Sequence, residues 1–331
     1  FGFDASFLNN RLTGTFDWYR RNTKDMLVAG ATLPATLGAS VPKSNSADMK
    51  TIGWELSLGW NDRLENGFSY WVKGVLSDYQ ATITKYAGND AGFYSQSDGD
   101  GKYYVGQKIG EIWGYHSNGL FQSDDEAATI DQSELYAGKW GAGDVKYEDL
   151  DNDGKITKGE ETIYNPGDKS IIGNKTPRYQ FGITVGFDYK NFDFEMFWQG
   201  TGKRDYMLSG AQFWGFTSQW DVPYTPALDY WTETNTDAYF PRPGWQNGGN
   251  RVTSDRYLQS AAYGRLKNLT VGYTIPKNLT TKWGISRLRL YVTGENLLTI
   301  TPLNDAFDPE TLGGMTYPIN RKVAIGLNLT L

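Results

Sequence analysis

Cysteine is absent from the 331 residues, and histidine occurs once, at His116. The first absence removes disulfides, thiolate nucleophiles and thiolate metal sites. The second confines any serine–histidine–aspartate arrangement to one imidazole, and no Gly-x-Ser-x-Gly elbow lies near it. Zinc is equally poorly served, because the remaining carboxylates suit calcium or magnesium. No run of about 18 apolar residues exists, which excludes a conventional membrane-spanning helix. It leaves open a barrel, whose strands hide their apolar half by alternation. Basic residues are scattered and the formal net charge is -6, so there is no footprint for nucleic acid. The chain opens at Phe1-Gly2-Phe3-Asp4 without an initiator Met, a basic n-region or an apolar h-region. Any secretion signal is therefore expected outside it, and the beginning of the protein is expected to be missing.

What the chain does have is aromatic and glycine content, with 22 Tyr, 12 Trp and 39 Gly. That mixture suits twisted strands and interfacial girdles better than helical bundles. Period-two runs follow. Near the end, Val323, Ile325, Leu327, Leu329 and Leu331 alternate with Ala324, Gly326, Asn328 and Thr330. Tyr179, Phe181, Ile183, Val185 and Phe187 alternate with Gln180, Gly182, Thr184, Gly186 and Asp188. Similar runs appear at Leu269 to Ile275, Leu288 to Val292, Trp54 to Trp60 and Phe68 to Val72, with Trp71 blurring the last. Each is about ten residues, the length a tilted strand needs to cross a hydrocarbon core of about 30 Å.

The connections alternate in length. Short links at Asn9-Asn10-Arg11, Asn61 to Gly67, Lys190-Asn191 and Pro276 to Ser286 alternate with long ones near 24–46, 87–177, 201–262 and 298–321. Outer-membrane barrels follow this rule, with short periplasmic turns and long outer loops. The expected fold is all-β, an antiparallel transmembrane β-barrel of which nine strands are present. An odd number cannot close a bacterial single-chain barrel, so the remaining strands must lie elsewhere. A soluble β-sandwich or adhesin also alternates, but its loops are normally short at both ends.

One local motif carries metal chemistry. Residues 149 to 160, DLDNDGKITKGE, fit a twelve-residue calcium loop. Calcium takes 6 to 8 oxygens. Asp149, Asp151 and Asp153 would supply carboxylates, Lys155 its carbonyl, Thr157 a hydroxyl or water, and Glu160 two oxygens, with Gly154 making the turn. Flanking helices are not evident, so the expected role is to stiffen loop 87–177 rather than to sense calcium. Loop 201–262 is rich in aromatics, among them Trp214, Trp220, Tyr224, Trp231 and Trp245. These could stack on sugar rings or grip a peptide, or simply pack the loop.

Several stretches resemble the SusC/RagA-type TonB-dependent outer-membrane transporters of Bacteroidetes. They are Leu12 to Met26 (LTGTFDWYRRNTKDM), Gly53-Trp54-Glu55-Leu56, Gly106 to Phe121 (GQKIGEIWGYHSNGLF), Asp193 to Tyr206 (DFEMFWQGTGKRDY), Arg265 to Pro276 (RLKNLTVGYTIP) and Leu288 to Leu297 (LRLYVTGENL), in the family's order. The resemblance implies the last portion of a 22-stranded barrel. It also implies an N-terminal plug and TonB-contacting segment absent from these residues, a SusD-type surface lipoprotein lid, and a glycan or peptide substrate. Gly143 to Gly173 falls where the family carries an Asp/Asn/Gly-rich loop, and Leu331 stands where such barrels usually end in an aromatic. The expected role is outer-membrane nutrient import rather than catalysis. The rivals are a calcium-stiffened adhesion module and an outer-membrane hydrolase. Extraction separates the first: membranes carrying the native protein should release it to detergent but not to high salt, and release by salt would favour the adhesin.

Overall fold

The computed structural model describes residues 1–29, 36, 38, 42–87, 89, 92–93, 103–244, 246–312 and 317–331. Alternating side chains give each strand one apolar and one polar face. The chain begins with four such strands, β1 (Gly2–Phe7), β2 (Leu12–Ala29), β3 (Lys43–Arg63) and β4 (Ser69–Tyr86). A long excursion then carries β5 (Glu111–Tyr115), β6 (Ser117–Leu120), β7 (Val145–Tyr147) and β8 (Lys169–Asn174). β9 (Arg178–Tyr189) and β10 (Phe192–Lys203) return to the sheet, and a second excursion holds β11 (Asp205–Met207) and β12 (Leu258–Ser260). β13 (Tyr263–Thr274), β14 (Arg287–Ile300) and β15 (Lys322–Thr330) complete it.

The result is a nine-stranded antiparallel sheet in the order β1-β2-β3-β4-β9-β10-β13-β14-β15. Every neighbour is the next sheet strand along the chain. The register aligns Phe7, Leu12, Trp60, Val72, Val185, Met196, Leu269, Gly294 and Val323 in one row across all nine strands. The adjacent row on the opposite face reads Ser6, Thr13, Gly59, Lys73, Thr184, Phe197, Asn268, Glu295 and Lys322. Phe197 is the one exception in a polar row. Side chains of the apolar face stay open even in the middle of the sheet, Val72 of β4 at 39% and Ile183 of β9 at 40% exposure. A water-facing sheet would cover such a surface; a lipid-facing one has no need to.

At the end of the short turns, Lys190-Asn191 reverses the chain in two residues, with Lys190 at φ 55°. Aromatic rings gather beside it: Phe68 stacks on Phe187, Phe187 on Phe194, and Phe192 meets Tyr273 at 4.7 Å between ring centres. This is the composition of an interfacial girdle.

Between β1 and β15 the sheet strands are longer than the ten or so residues expected, running from 12 in β9 to 21 in β3, while β15 has 9. β2 and β3 remain paired well into the segment read as loop 24–46, down to Ala29 opposite Lys43. Their distal halves carry Arg20, Arg21, Asn22, Lys24 and Asp48, Lys50, so the apolar pattern stops before the backbone ladder does. Hydrophobic periodicity detects the part of a strand that needs lipid; hydrogen bonding continues beyond it.

The core lies in the excursions instead of the sheet. Tyr115, Val145, Tyr147, Ile156, Leu208, Phe213, Trp214, Trp231, Phe240, Tyr257, Leu303 and Phe307 belong to one buried cluster, drawn from three outer segments. Phe213 sits at its centre, edge-on to Trp214, Tyr239, Phe240, Tyr257 and Phe307. Each such side chain contributes about 1.5–3 kcal/mol on burial. Polar seams close the cluster: the Val145 N–H and the Asp144 carboxylate both meet Asn250, at 2.8 Å each, and the Tyr147 hydroxyl donates to Gly249 O at 2.7 Å. Burial raises the Tyr147 phenol well above its ordinary pKa. The last outer segment is tied to the sheet by Arg265, which pairs with Asp308 and Glu310.

On the polar face, Arg289 of β14 donates to both carboxylate oxygens of Asp193 on β10, reaching across β13. Gly272 of β13 makes room, for a Cβ there would lie 2.5 Å from Arg289 Nη2 and from the Asp193 oxygens. Gly272→Val should therefore separate the pair and cost about 1–3 kcal/mol. The expected readout is a lower denaturant midpoint for the full-length protein in detergent; an unchanged midpoint would mean that the pair contributes nothing.

Candidate functional site

The acidic segment in the first excursion folds as a tight turn. Asn152, at φ 61°, and Gly154, at φ 84°, take left-handed conformations. Asp149 accepts from the N–H groups of Asn152 and Gly154, each at 2.7 Å, and Asp153 accepts from Lys155 N–H at 2.8 Å. Asp149, Asp151 and Asp153 each offer a carboxylate oxygen within 4.8 Å of the others, a group that could hold a metal ion. Partial desolvation opposes the charge of Asp149, but the N–H groups of Gly154, Asn152 and Asp153 hold its carboxyl below the usual range. Asp151 moves the other way, raised by desolvation and then by the neighbouring Asp153 carboxylate. Crowded like charges of this kind fit a hard divalent cation.

Glu160 does not belong to that group. The sequence pattern places it last in the coordinating set, but no helix follows to carry it back. The chain reverses instead: Gly159 has φ 56°, and the Glu160 N–H bonds Asn165 O at 3.0 Å. Thr157 is also engaged, its N–H donating to Asp168 at 2.7 Å and its carbonyl accepting from Asp168 N–H at 3.1 Å. Lys155 is exposed beside the bridge formed by Asp131 with Gly154 and Ile156. Sequence reasoning missed Asp168. Its buried carboxylate also accepts from Leu150 N–H at 2.7 Å, clamping the two ends of the turn together. A lone Asp after a glycine carries no pattern that would have singled it out.

The aromatic candidates divide. Trp214 and Trp231 are 9% and 7% exposed, and Trp214 lies edge-on to Tyr257 at 4.5 Å. Their rings are taken up in the loop core, which removes them from the ligand-stacking set. Trp220 is 83% exposed and Tyr224 half exposed. Tyr224 lines a cleft of about 640 Å³ with Gln212, Asn304, Asp305 and Phe307. Trp245 lies outside the described residues.

His116 joins three chain segments. Nδ1 lies 2.7 Å from Asp255 and Nε2 lies 2.6 Å from the Ser170 hydroxyl. The order of atoms is that of a hydrolytic triad, through Ser170 and Asp255 rather than the adjacent Ser117. Ser170, however, lies within β8, paired to Gly114 of β5. The same Asp255 receives Ser117 N–H at 3.0 Å, and its own N–H bonds Tyr115 O. These bonds pin the second excursion to the first, a structural use of the imidazole.

No protein-family model matches the chain. Among curated proteins it is 29% identical to TonB-dependent receptor P3 of Formosa agariphila, an alignment covering 99% of this chain and 33% of that receptor. It is 26% identical to TonB-dependent receptor SusC of Bacteroides thetaiotaomicron, over 99% of this chain and 31% of SusC. In fold it is similar to the structure of the RagAB peptide transporter, with a TM-score of 0.75 at 21% identity, covering 99% of this chain and 34% of that one. The chain is a homologue of SusC-like TonB-dependent receptors, shares its fold with part of the RagAB transporter, and spans about a third of the length of those it matches.

Proposed function

We propose that residues 1–331 form the C-terminal wall and outer cap of an energised importer in the bacterial outer membrane. The observation that carries this reading is the two-faced sheet, apolar and open on one side of all nine strands and polar on the other. Among the described residues both outermost strands, β1 and β15, have one neighbour only. Unpaired backbone groups in lipid cost several kcal/mol each, so further strands of the same receptor would continue the sheet into a closed barrel of about 22 strands. The polar face would then line the lumen that houses a plug, which engages the TonB complex.

In this reading the cap formed by the outer loops receives a glycan or a peptide together with a SusD-type surface lipoprotein. Of the aromatic candidates in loop 201–262 that are described, Trp220 and Tyr224 are open to a ligand, Tyr224 beside the Asn304–Asp305 cleft. The adhesin alternative loses ground because an adhesin has no use for an apolar face that remains open across the whole sheet. TonB-dependent receptors are outer-membrane proteins, and the open face suits that location.

The acidic turn is the proposed calcium site, with Asp149, Asp151 and Asp153 as carboxylate ligands. Lys155 would add its carbonyl, while Thr157 and Glu160 could act only through water or after local rearrangement. The ion would neutralise the crowded turn and stiffen the first outer excursion. Calorimetry of the full-length receptor should give saturable calcium binding that Asp151→Ala abolishes; unchanged binding would move the site elsewhere. The import reading is tested by uptake in cells. Full-length receptor with its lipoprotein should take up substrate only when the inner membrane is energised, and residues 1–331 alone should not; energy-dependent uptake by the isolated segment in liposomes would overturn it.

A further inference from the structure

At the outer ends of β4, β9 and β10 the segment 107–109 pairs against the last residues of β4, with Ile83 N–H on Gln107 O and Ile109 N–H on Ala81 O, each at 2.9 Å. This leaves a cavity of about 290 Å³ whose lining includes Tyr79, Gln80, Lys175, Arg178 and Arg204. Three of these are cations, and among the described residues no carboxylate lines the cavity. Arg178 is neutralised by the two oxygens of Asp78. Arg204 has no such partner. Its Nε donates to Lys175 O at 3.2 Å, and among the described residues neither it nor the Lys175 ammonium forms an ion pair. The nearby acid Asp205 is occupied by the Asn174 N–H at 2.9 Å.

A guanidinium drawn part-way out of water without a counter-charge is costly, and that cost is recovered when an anion arrives. Burial accordingly holds the Arg204 pKa below the ordinary arginine value. The planar fork of arginine matches two oxygens of a carboxylate or sulfate at once, while lysine adds a point charge. Besides the cations, Tyr79 and Gln80 border the cavity; neighbours on β4, they project to opposite faces of the strand, and either side chain is of a type that pairs with sugar hydroxyls. A peptide would bring amino groups as well, and the cavity holds no acid to receive them.

We infer that this cavity binds the carboxylate or sulfate of an acidic oligosaccharide, with Arg204 gripping two oxygens and Lys175 adding charge. The inference rests on the import reading, whose substrate class it narrows to anionic glycans. Its test is calorimetry of the full-length receptor in detergent with trigalacturonate, a sulfated carrageenan trisaccharide, and neutral maltotriose. At least one acidic trisaccharide should bind, and the stronger of the two identifies the anionic group. Arg204→Ala should weaken that binding roughly ten- to hundred-fold, Arg204→Lys less, and leave any maltotriose binding unchanged. Heat-shifted electrophoretic mobility establishes that the variants are folded. The inference fails if neither acidic trisaccharide binds, if folded Arg204→Ala binds as tightly as the parent, or if equimolar inorganic sulfate displaces the ligand completely. Competition by an acidic hexapeptide in place of the sugars would assign the cavity to a peptide carboxylate and overturn it likewise. Lost binding with energised uptake intact would sink this inference alone, whereas absent uptake would sink the import reading.

Discussion

Everything in this molecule depends on the backbone ladder that holds nine strands in one register. Side chains alternate with a period of two, so a slip of one residue between any pair would carry apolar residues to the polar face and charges to the apolar one. The row from Phe7 to Val323 crosses eight strand pairings without such a slip. Bulges shift the register by one residue in β2–β3, β3–β4, β10–β13 and β13–β14, for example between Phe197 and Trp198 and between Leu266 and Asn268, but all of them lie beyond the row, toward the ends of the strands away from the short turns. The two faces therefore remain continuous surfaces. One side of the sheet can meet lipid and the other can carry the Arg289–Asp193 pair.

A sheet with no water-excluding layer on either side has no core of its own, and this shifts the burden of packing outward. The excursions supply what the sheet lacks. Their buried cluster unites residues more than a hundred positions apart, as at Val145 and Asn250 or Tyr147 and Gly249. The His116 bonds to Ser170 and Asp255 belong to the same system, as does the Arg265 tether that brings the final loop down onto β13. Long outer loops in this chain are thus one folded body, and the clefts that face a ligand are gaps in its surface.

How much of this was legible beforehand follows from which forces leave a trace along the chain. Alternation in Tyr179 to Phe187 or Val323 to Leu331 is local and survives as a readable pattern, so the sheet strands and their short turns were visible. The polar extensions of β2 and β3 were not, because backbone pairing needs no particular side chain. The three aspartates of the acidic turn were visible through their spacing, but the fate of Glu160 depended on a reversal set by Gly159 and Asn165, and the clamp by Asp168 on a contact 18 residues distant from Leu150. Density of aromatics pointed to loop 201–262, yet composition could not distinguish the buried Trp214 and Trp231 from the exposed Trp220. Burial is a property of the partner, and Tyr257, the partner of Trp214, lies 43 positions further along the chain (257 − 214).

The strand order carries a consequence for assembly. Because each strand of the sheet pairs with its predecessor along the chain, hairpins can be added one at a time, each closed by contacts formed within itself and against the edge already built. The cap cannot grow in that way: its cluster draws on the segments before β9, between β10 and β13, and after β14. It can condense only once all three segments are in place, so the connection between β14 and β15 delivers Leu303 and Phe307, the closing pieces of the cluster. Pairing of β14 with β15 and consolidation of the cap are then coupled, and a chain in which that pairing had not formed would display its loop aromatics unburied.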